Sequence, residues 1–187
     1  MIERRQNGER SLAGRLVFLG QDAGTALVEF ALVLPVILLL FVGSYQLLDA
    51  IAAYRKVTAT VRTLTDLTAQ SSSLTPAQAD TILAVSRQVM APYAITPAAL
   101  RISEVQVSDK GVPSVVWSRG LNATAYSGGD YINIPTNMRI PNSYLVYGEI
   151  TYRYVPIIAS SMLGPISYSD RLFMSPRNSD SIPFGTG

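Results

Sequence analysis

Residues 23–46 read AGTALVEFALVLPVILLLFVGSYQ, and a single carboxylate, Glu29, stands at the lip of this otherwise uncharged apolar stretch. Residues 30–48 hold no charge at all, and the strongly polar Ser44 and Gln46 fall near their far end. These 19 residues suffice to cross the ~30 Å hydrocarbon core of a bilayer as a helix rising ~1.5 Å per residue. A charge costs roughly 2.5–3.5 kcal/mol at the centre of such a helix, so Glu29 calls for a partner. Pro35 lies one to two turns inside the span, where it removes one backbone donor; membrane helices tolerate this, and a kink rather than a break is expected there.

Ahead of the span, residues 1–24 carry Arg4, Arg5, Arg10 and Arg15 against Glu3, Glu9 and Asp22, and end in Gly24. A polar, arginine-bearing leader, a glycine and then a long apolar segment have the layout of a targeting sequence. The four arginines favour an N-terminus in the cytoplasm, although Arg55, Lys56 and Arg62 follow the span and dilute the asymmetry.

Gly24, four intervening residues and then Glu29-Phe30 resemble the processing site of type IV pilin-like precursors. The continuation Ala31-Leu32-Val33-Leu34-Pro35 and the non-aromatic Thr25 after the glycine are similar to the TadE-like pseudopilins of the tight-adherence (Tad/Flp) pilus system. Val116-Trp117-Ser118-Arg119, Tyr152-Arg153-Tyr154-Val155-Pro156 and Ser175-Pro176-Arg177 also look like that family. The resemblance implies a minor pseudopilin cut between Gly24 and Thr25 by a prepilin peptidase, with Glu29 as the fifth mature residue and Glu29-Phe30 as the recognition and assembly pair. It implies as partners the peptidase, a small Flp-type major pilin, other Tad minor pseudopilins and the inner-membrane assembly platform. It also places the N-terminus in the bacterial cytoplasm and the bulk of the chain outside the inner membrane, within reach of the pilus. Type IVa pilins usually begin with phenylalanine, so Thr25 fits the Tad branch and leaves N-terminal methylation open.

Elementary chemistry supports the motif independently. Glycine weakens a helix and presents no side chain to a peptidase, so the bond after Gly24 is expected to be extended and accessible. Cleavage there would give Thr25 a positive amine about one turn from Glu29, and an amine of one subunit could neutralise Glu29 of a neighbour in low dielectric. The plainer alternative puts Glu29 at headgroup depth, solvated near the favourable N-terminal end of a helix dipole.

Beyond the span, Leu47, Ile51, Tyr54, Val61, Leu64 and Leu67 recur near the helical period, so the same helix is expected to emerge and dock one side on a domain. Gln70-Ser71-Ser72-Ser73 reads as a loop. Thr75-Pro76-Ala77-Gln78 then supplies an N-cap, a first-turn proline and a capping-box glutamine for a short helix ending by Pro92, with Ala79, Ile82, Leu83, Ser86, Val89 and Met90 on one face. After Pro97 the period becomes two: residues 100–107 and 112–118 flank Ser108-Asp109-Lys110-Gly111 as an antiparallel hairpin. Residues 122–140, rich in Gly, Asn and Pro, read as a long surface excursion with a short strand at 131–134. Strands are expected at 143–155 and 166–174, and a loose tail at 175–187. The fold class is α+β: a long N-terminal transmembrane helix continuing into a pilin-like domain with a short second helix and a small antiparallel sheet. The divisions are a leader (1–24), a transmembrane and assembly helix (25–48), an extracytoplasmic domain (49–174) and the tail.

Composition narrows the function. Among 187 residues there is no histidine and no cysteine, which removes the commonest general base, thiol nucleophiles, disulfides and most zinc sites. No glycine-rich phosphate loop opens a helix, so an enzyme is not expected and no cofactor or metal is implied. With the leader set aside, 11 basic residues face 10 acidic ones, and no basic patch points to nucleic acid. Tyr144, Tyr147, Tyr152, Tyr154 and Tyr168 suit cross-strand packing before an adhesive surface, and Trp117 suits the core. Asp130 alone lacks the repeated oxygen ligands of a calcium loop, and Asn122-Ala123-Thr124 is a glycosylation acceptor only in a secretory setting that modifies it. Two other readings stay open: a secreted binding domain released after Ala50-Ile51-Ala52, which resembles a signal-peptidase site, and an uncleaved single-span envelope scaffold.

Overall fold

The computed structural model describes residues 3–156, 158 and 164–185, and for residues 3–23 the helical backbone alone. The chain divides into two compact units, Met1–Leu47 and Leu48–Gly187. Helix α1 runs from Glu3 to Ala69, 67 residues. It passes through Gly24 and Thr25 without interruption, so the extended peptide bond expected there is not found. The reason is local: one glycine costs a helix only about 1 kcal/mol, and its helix-forming neighbours Ala23, Ala26 and Leu27 carry the hydrogen-bond ladder across it. Pro35 likewise sits inside α1 without breaking it.

The C-terminal part of α1 belongs to the second unit, where Ala53, Val57, Thr60, Val61, Leu64, Thr65 and Thr68 form its buried stripe. Thr60, Thr65 and Thr68 can be buried because each hydroxyl donates back to the carbonyl four residues earlier, of Lys56, Val61 and Leu64. Such back-bonding leaves the methyl free to pack. Helix α2, Pro76–Met90, starts on a complete capping box: the Gln78 N–H donates to Thr75 Oγ1 and the Thr75 N–H donates to Gln78 Oε1. Ala79, Leu83, Ser86 and Met90 are buried.

Four antiparallel strands, β1 (Ala98–Val107), β2 (Pro113–Leu121), β3 (Ser143–Tyr154) and β4 (Ile166–Met174), form one sheet in the order β2-β1-β3-β4. The β1–β2 turn closes as expected, with the Ser108 N–H donating to the Val112 carbonyl and Gly111 at positive φ. One face of the sheet carries Leu100, Ile102, Trp117, Val146, Ile150, Tyr152 and Tyr154 into the main core with α1 and α2. At Gly148 of β3 the approach of α1 is so close that a Cβ there would lie 2.0 Å from Thr65 Oγ1. A bulge opposite Glu104 and Val105 skips Val116, so Trp117 enters the main core while Val115 turns to the opposite face.

That opposite face holds a second, smaller core. Val105, Val107, Val115, Leu145 and Tyr147 pack with Ile132 and Ile134 from the 122–142 connection. Residues 122–140 are therefore not a surface excursion throughout, and the strand expected at 131–134 reduces to one bridge between Tyr131 and Ser114, followed by a 3-10 turn at Thr136–Met138. Buried isoleucines set without periodicity are held by tertiary contact alone.

The loose tail expected at 175–187 is also corrected for its described residues. Ile182 is fully buried, and Phe184 stacks on Trp117 at 4.7 Å. The Leu74 N–H donates to the Pro183 carbonyl and the Gly185 N–H to the Leu74 carbonyl. Arg177 N–H and Asn178 Nδ2 donate to the carbonyls of Ala69 and Gln70, satisfying acceptors that the end of α1 would otherwise leave open.

Candidate functional site: an apolar helix bounded by two carboxylates

From Leu27 to Leu48 nearly every large side chain of α1 is exposed, Phe41 and Leu32 each by more than 70%. The richest 18-residue window has a mean hydropathy of 2.7, and the helix is long and apolar enough to cross a membrane. A continuous apolar surface of this size is not left to water on a soluble protein. The Ser44 hydroxyl within it is satisfied locally, since Ser44 Oγ donates to the Leu40 carbonyl at 2.7 Å. Gly24, Thr25, Val28, Glu29 and Leu32 fall on one stripe of the helix, so Glu29 of the expected recognition pair shares a face with the expected cleavage residues. Phe30 is exposed on the opposite side of the helix from this stripe, and Pro35 lies one turn beyond Leu32.

At the other end of the uncharged run stands Asp49, a residue to which the sequence reading gave no role. Glu29 and Asp49 are 20 residues apart, about 30 Å along a helix, which matches the hydrocarbon thickness of a bilayer. Asp49 is held by two phenols: Tyr93 Oη donates to Oδ1 at 2.7 Å and Tyr154 Oη to Oδ2 at 2.5 Å. Tyr93 and Tyr154 meet edge to face, Tyr154 contacts Tyr168, and Tyr168 meets Tyr54. Burial, reinforced by the neighbouring Asp49 carboxylate, pushes the Tyr154 hydroxyl well above the ordinary phenol range, so it remains a donor. The hint in the sequence was an acid one residue past the apolar run in a chain rich in tyrosine. Nothing local said which tyrosines would reach it.

The globular unit has a second buried carboxylate. Glu104, in the main core, accepts from Trp117 Nε1 at 3.1 Å and from the Ile182 N–H at 2.6 Å. Desolvation raises its pKa above the usual carboxyl value despite these two donors, which pull the other way. On the opposite face Arg101 pairs with Glu149 and lies over the Tyr126 ring, while Tyr126 and Tyr147 donate to Glu149. Arg119 grips Asp80 of α2 through two nitrogens and lowers its pKa. These groups tie elements together. Asp130 accepts from the Ser127 N–H, and the Asn122 side-chain amide donates to the Ala98 carbonyl. Among the described residues no three acids lie close enough to share a metal ion.

An α+β domain tethered through an exposed, membrane-length helix defines a class of membrane-anchored proteins. Within it, residues 24–64 match the family described as TadE-like protein. The match opens at Gly24 and runs through the uncharged segment into the buried stripe of α1. No curated protein and no solved structure matches the chain.

Proposed function

We propose that the protein is a minor pseudopilin that acts, without catalysis of its own, in assembly of a Tad-type adhesive pilus after trimming by a prepilin peptidase. The observation that carries this reading is the TadE-like match, which begins at Gly24 and includes the carboxylate of Glu29 on the same helical stripe as the bond to be cut. Because that bond lies within α1, the peptidase unwinds the helix locally; glycine makes this the least costly point of the ladder. Hydrolysis leaves Thr25 with an ammonium group, which neutralises Glu29 of a neighbouring subunit while the 30–48 surface packs among pilin helices. The external domain faces away from the cytoplasm and contacts the major pilin, fellow minor pseudopilins and the assembly platform.

The competing secreted-domain reading is disfavoured by the fold. Release after Ala52 would remove Asp49, the acceptor of Tyr93 and Tyr154, and would cut α1 immediately before the fully buried Ala53. N-terminal sequencing and intact mass of the protein from native membranes, with and without prepilin peptidase, test the proposal. The expected mature start is Thr25, seen only with the peptidase. A start at Met1 in both strains, or at Ala53, refutes it. Glu29→Ala is expected to impair trimming or co-assembly while leaving membrane insertion intact.

A further inference from the structure

Of the two outer edges of the sheet, that of β4 is left without a partner among the described residues. The β2 edge is capped by the 122–142 connection: the Val115 N–H donates to the Asp130 carbonyl and the Gly129 N–H to the Val115 carbonyl, beside the Ser114–Tyr131 bridge. After Met174 the chain crosses to the end of α1, where the Arg177 N–H donates to the Ala69 carbonyl, instead of doubling back along β4. The strand is nine residues long and carries no proline, lysine or bulge, the devices that blunt an edge against pairing.

Which backbone groups lie on that edge follows from the register. Alternate residues of an antiparallel strand bond to opposite neighbours. The Arg153 N–H of β3 donates to the Pro97 carbonyl, on the β1 side, so Tyr147, Glu149 and Thr151 face β1 and the even-numbered residues of β3 face β4. Gly148 pairs with Leu172 and Ile150 with Asp170, which leaves the N–H and carbonyl groups of Ser167, Ser169, Arg171 and Phe173 pointing outward. The Arg171 N–H agrees with this, being bonded to Asp170 Oδ1 at 2.9 Å.

A trough runs along each face of the edge. On the α1 side, Leu172 and Met174 with Arg62 and Thr63 line about 420 Å³. On the other, Thr151, Ser169 and Arg171 with Tyr147 and Glu149 line about 410 Å³. An added strand sends alternate side chains into the two. The first is floored by half-buried apolar side chains and takes apolar residues. The second presents the exposed Arg171, which makes no ion pair among the described residues because Glu149, opposite it, is held by Arg101, Tyr126 and Tyr147. That trough takes an acid. We propose that the outer edge of β4 receives an extended strand of a different polypeptide, one that alternates apolar and polar residues and sets a carboxylate opposite Arg171.

A second copy of this chain meets the requirement less well. Two β4 strands related by a two-fold axis set Asp170 against Asp170 when fully overlapped, Arg171 against Arg171 when slipped one way, and Arg171 against Ser167 when slipped the other. Like charges directly opposite repel, and none of these registers supplies the acid. All the residues of the edge belong to the 48–187 unit, so the site stands whether or not Gly24 is cut or α1 spans a membrane.

The test titrates full-length protein in detergent micelles with a fluorescent peptide that alternates valine with threonine and has glutamate in place of its central threonine. Anisotropy is expected to show saturable binding, and amide hydrogen exchange to slow at Ser169 and Phe173. Lysine in place of the glutamate should weaken binding several-fold, and Arg171→Glu should reverse that preference. Ser169→Pro, which removes an outward N–H and leaves the β3 ladder, should abolish binding, with Trp117 emission unchanged in both variants as the sign of folding. N-methylation of every peptide amide tests the backbone bonds without altering the protein, and should also abolish binding. Absence of saturable binding, equal binding of the glutamate and lysine peptides, or binding that survives N-methylation overturns the proposal. Self-association of the protein that Ser169→Pro abolishes assigns the edge to a second copy and overturns it too.

Discussion

Gly148→Ala tests the way α1 is fitted to the sheet. The new Cβ would sit 2.0 Å from Thr65 Oγ1 and 3.3–3.4 Å from Thr65 Cβ and Val61 Cγ2. Thr65 is fully buried and its hydroxyl donates to the Val61 carbonyl at 2.7 Å, so rotating it away sacrifices that bond. Overpacking of this kind costs about 1–3 kcal/mol and the bond about 1 kcal/mol, or roughly 2–4 kcal/mol together. At about 2 kcal/mol per molar urea, the unfolding midpoint should fall by about 1–2 M. Trp117, the single tryptophan, is buried in the same core and reports the transition by fluorescence in detergent micelles. Adding Thr65→Ala removes the clashing oxygen, and the remaining neighbours need move only a few tenths of an ångström. The double variant should therefore recover most of the loss, with a coupling above about 1 kcal/mol. Strictly additive effects of the two substitutions would refute the packing argument.

Two further outcomes follow from the buried carboxylate and the docked C-terminal segment. Because the folded state raises the Glu104 pKa above its ordinary value of 4.5, it holds the proton more tightly than the unfolded chain, and the associated stability is full below that value and lost as pH rises through the folded one. The midpoint of the native protein should fall relative to Glu104→Gln across that window and run parallel above it; a difference that grows in the native protein's favour with rising pH contradicts the assignment. Deleting residues 179–187 removes Ile182 and Phe184 and opens Trp117 to water, with an expected loss of about 3–5 kcal/mol and a red-shifted emission. An unchanged spectrum and midpoint would show that the segment does not dock in solution.

What the sequence by itself determined is whatever rests on contiguous residues. The uncharged run 30–48, the Gly24–Glu29–Phe30 spacing, the Thr75–Gln78 capping box, the Ser108–Gly111 turn and the alternation of β1, β3 and β4 each express a local preference, readable a few residues at a time. Tertiary structure alone decided the rest. Ile132, Ile134, Ile182 and Phe184 sit among Gly, Pro, Ser and Asn with no sustained period; the three isoleucines are buried and Phe184 partly buried only because distant strands offer them apolar surface. The bulge that turns Trp117 inward, the burial of Glu104 and the pairing of Asp49 with tyrosines 44 and 105 residues away depend on contacts between segments that sequence order keeps apart. Helix propensity carried α1 through Gly24, where the cleavage motif alone argued for an extended bond, because the ladder on both sides outweighs one glycine.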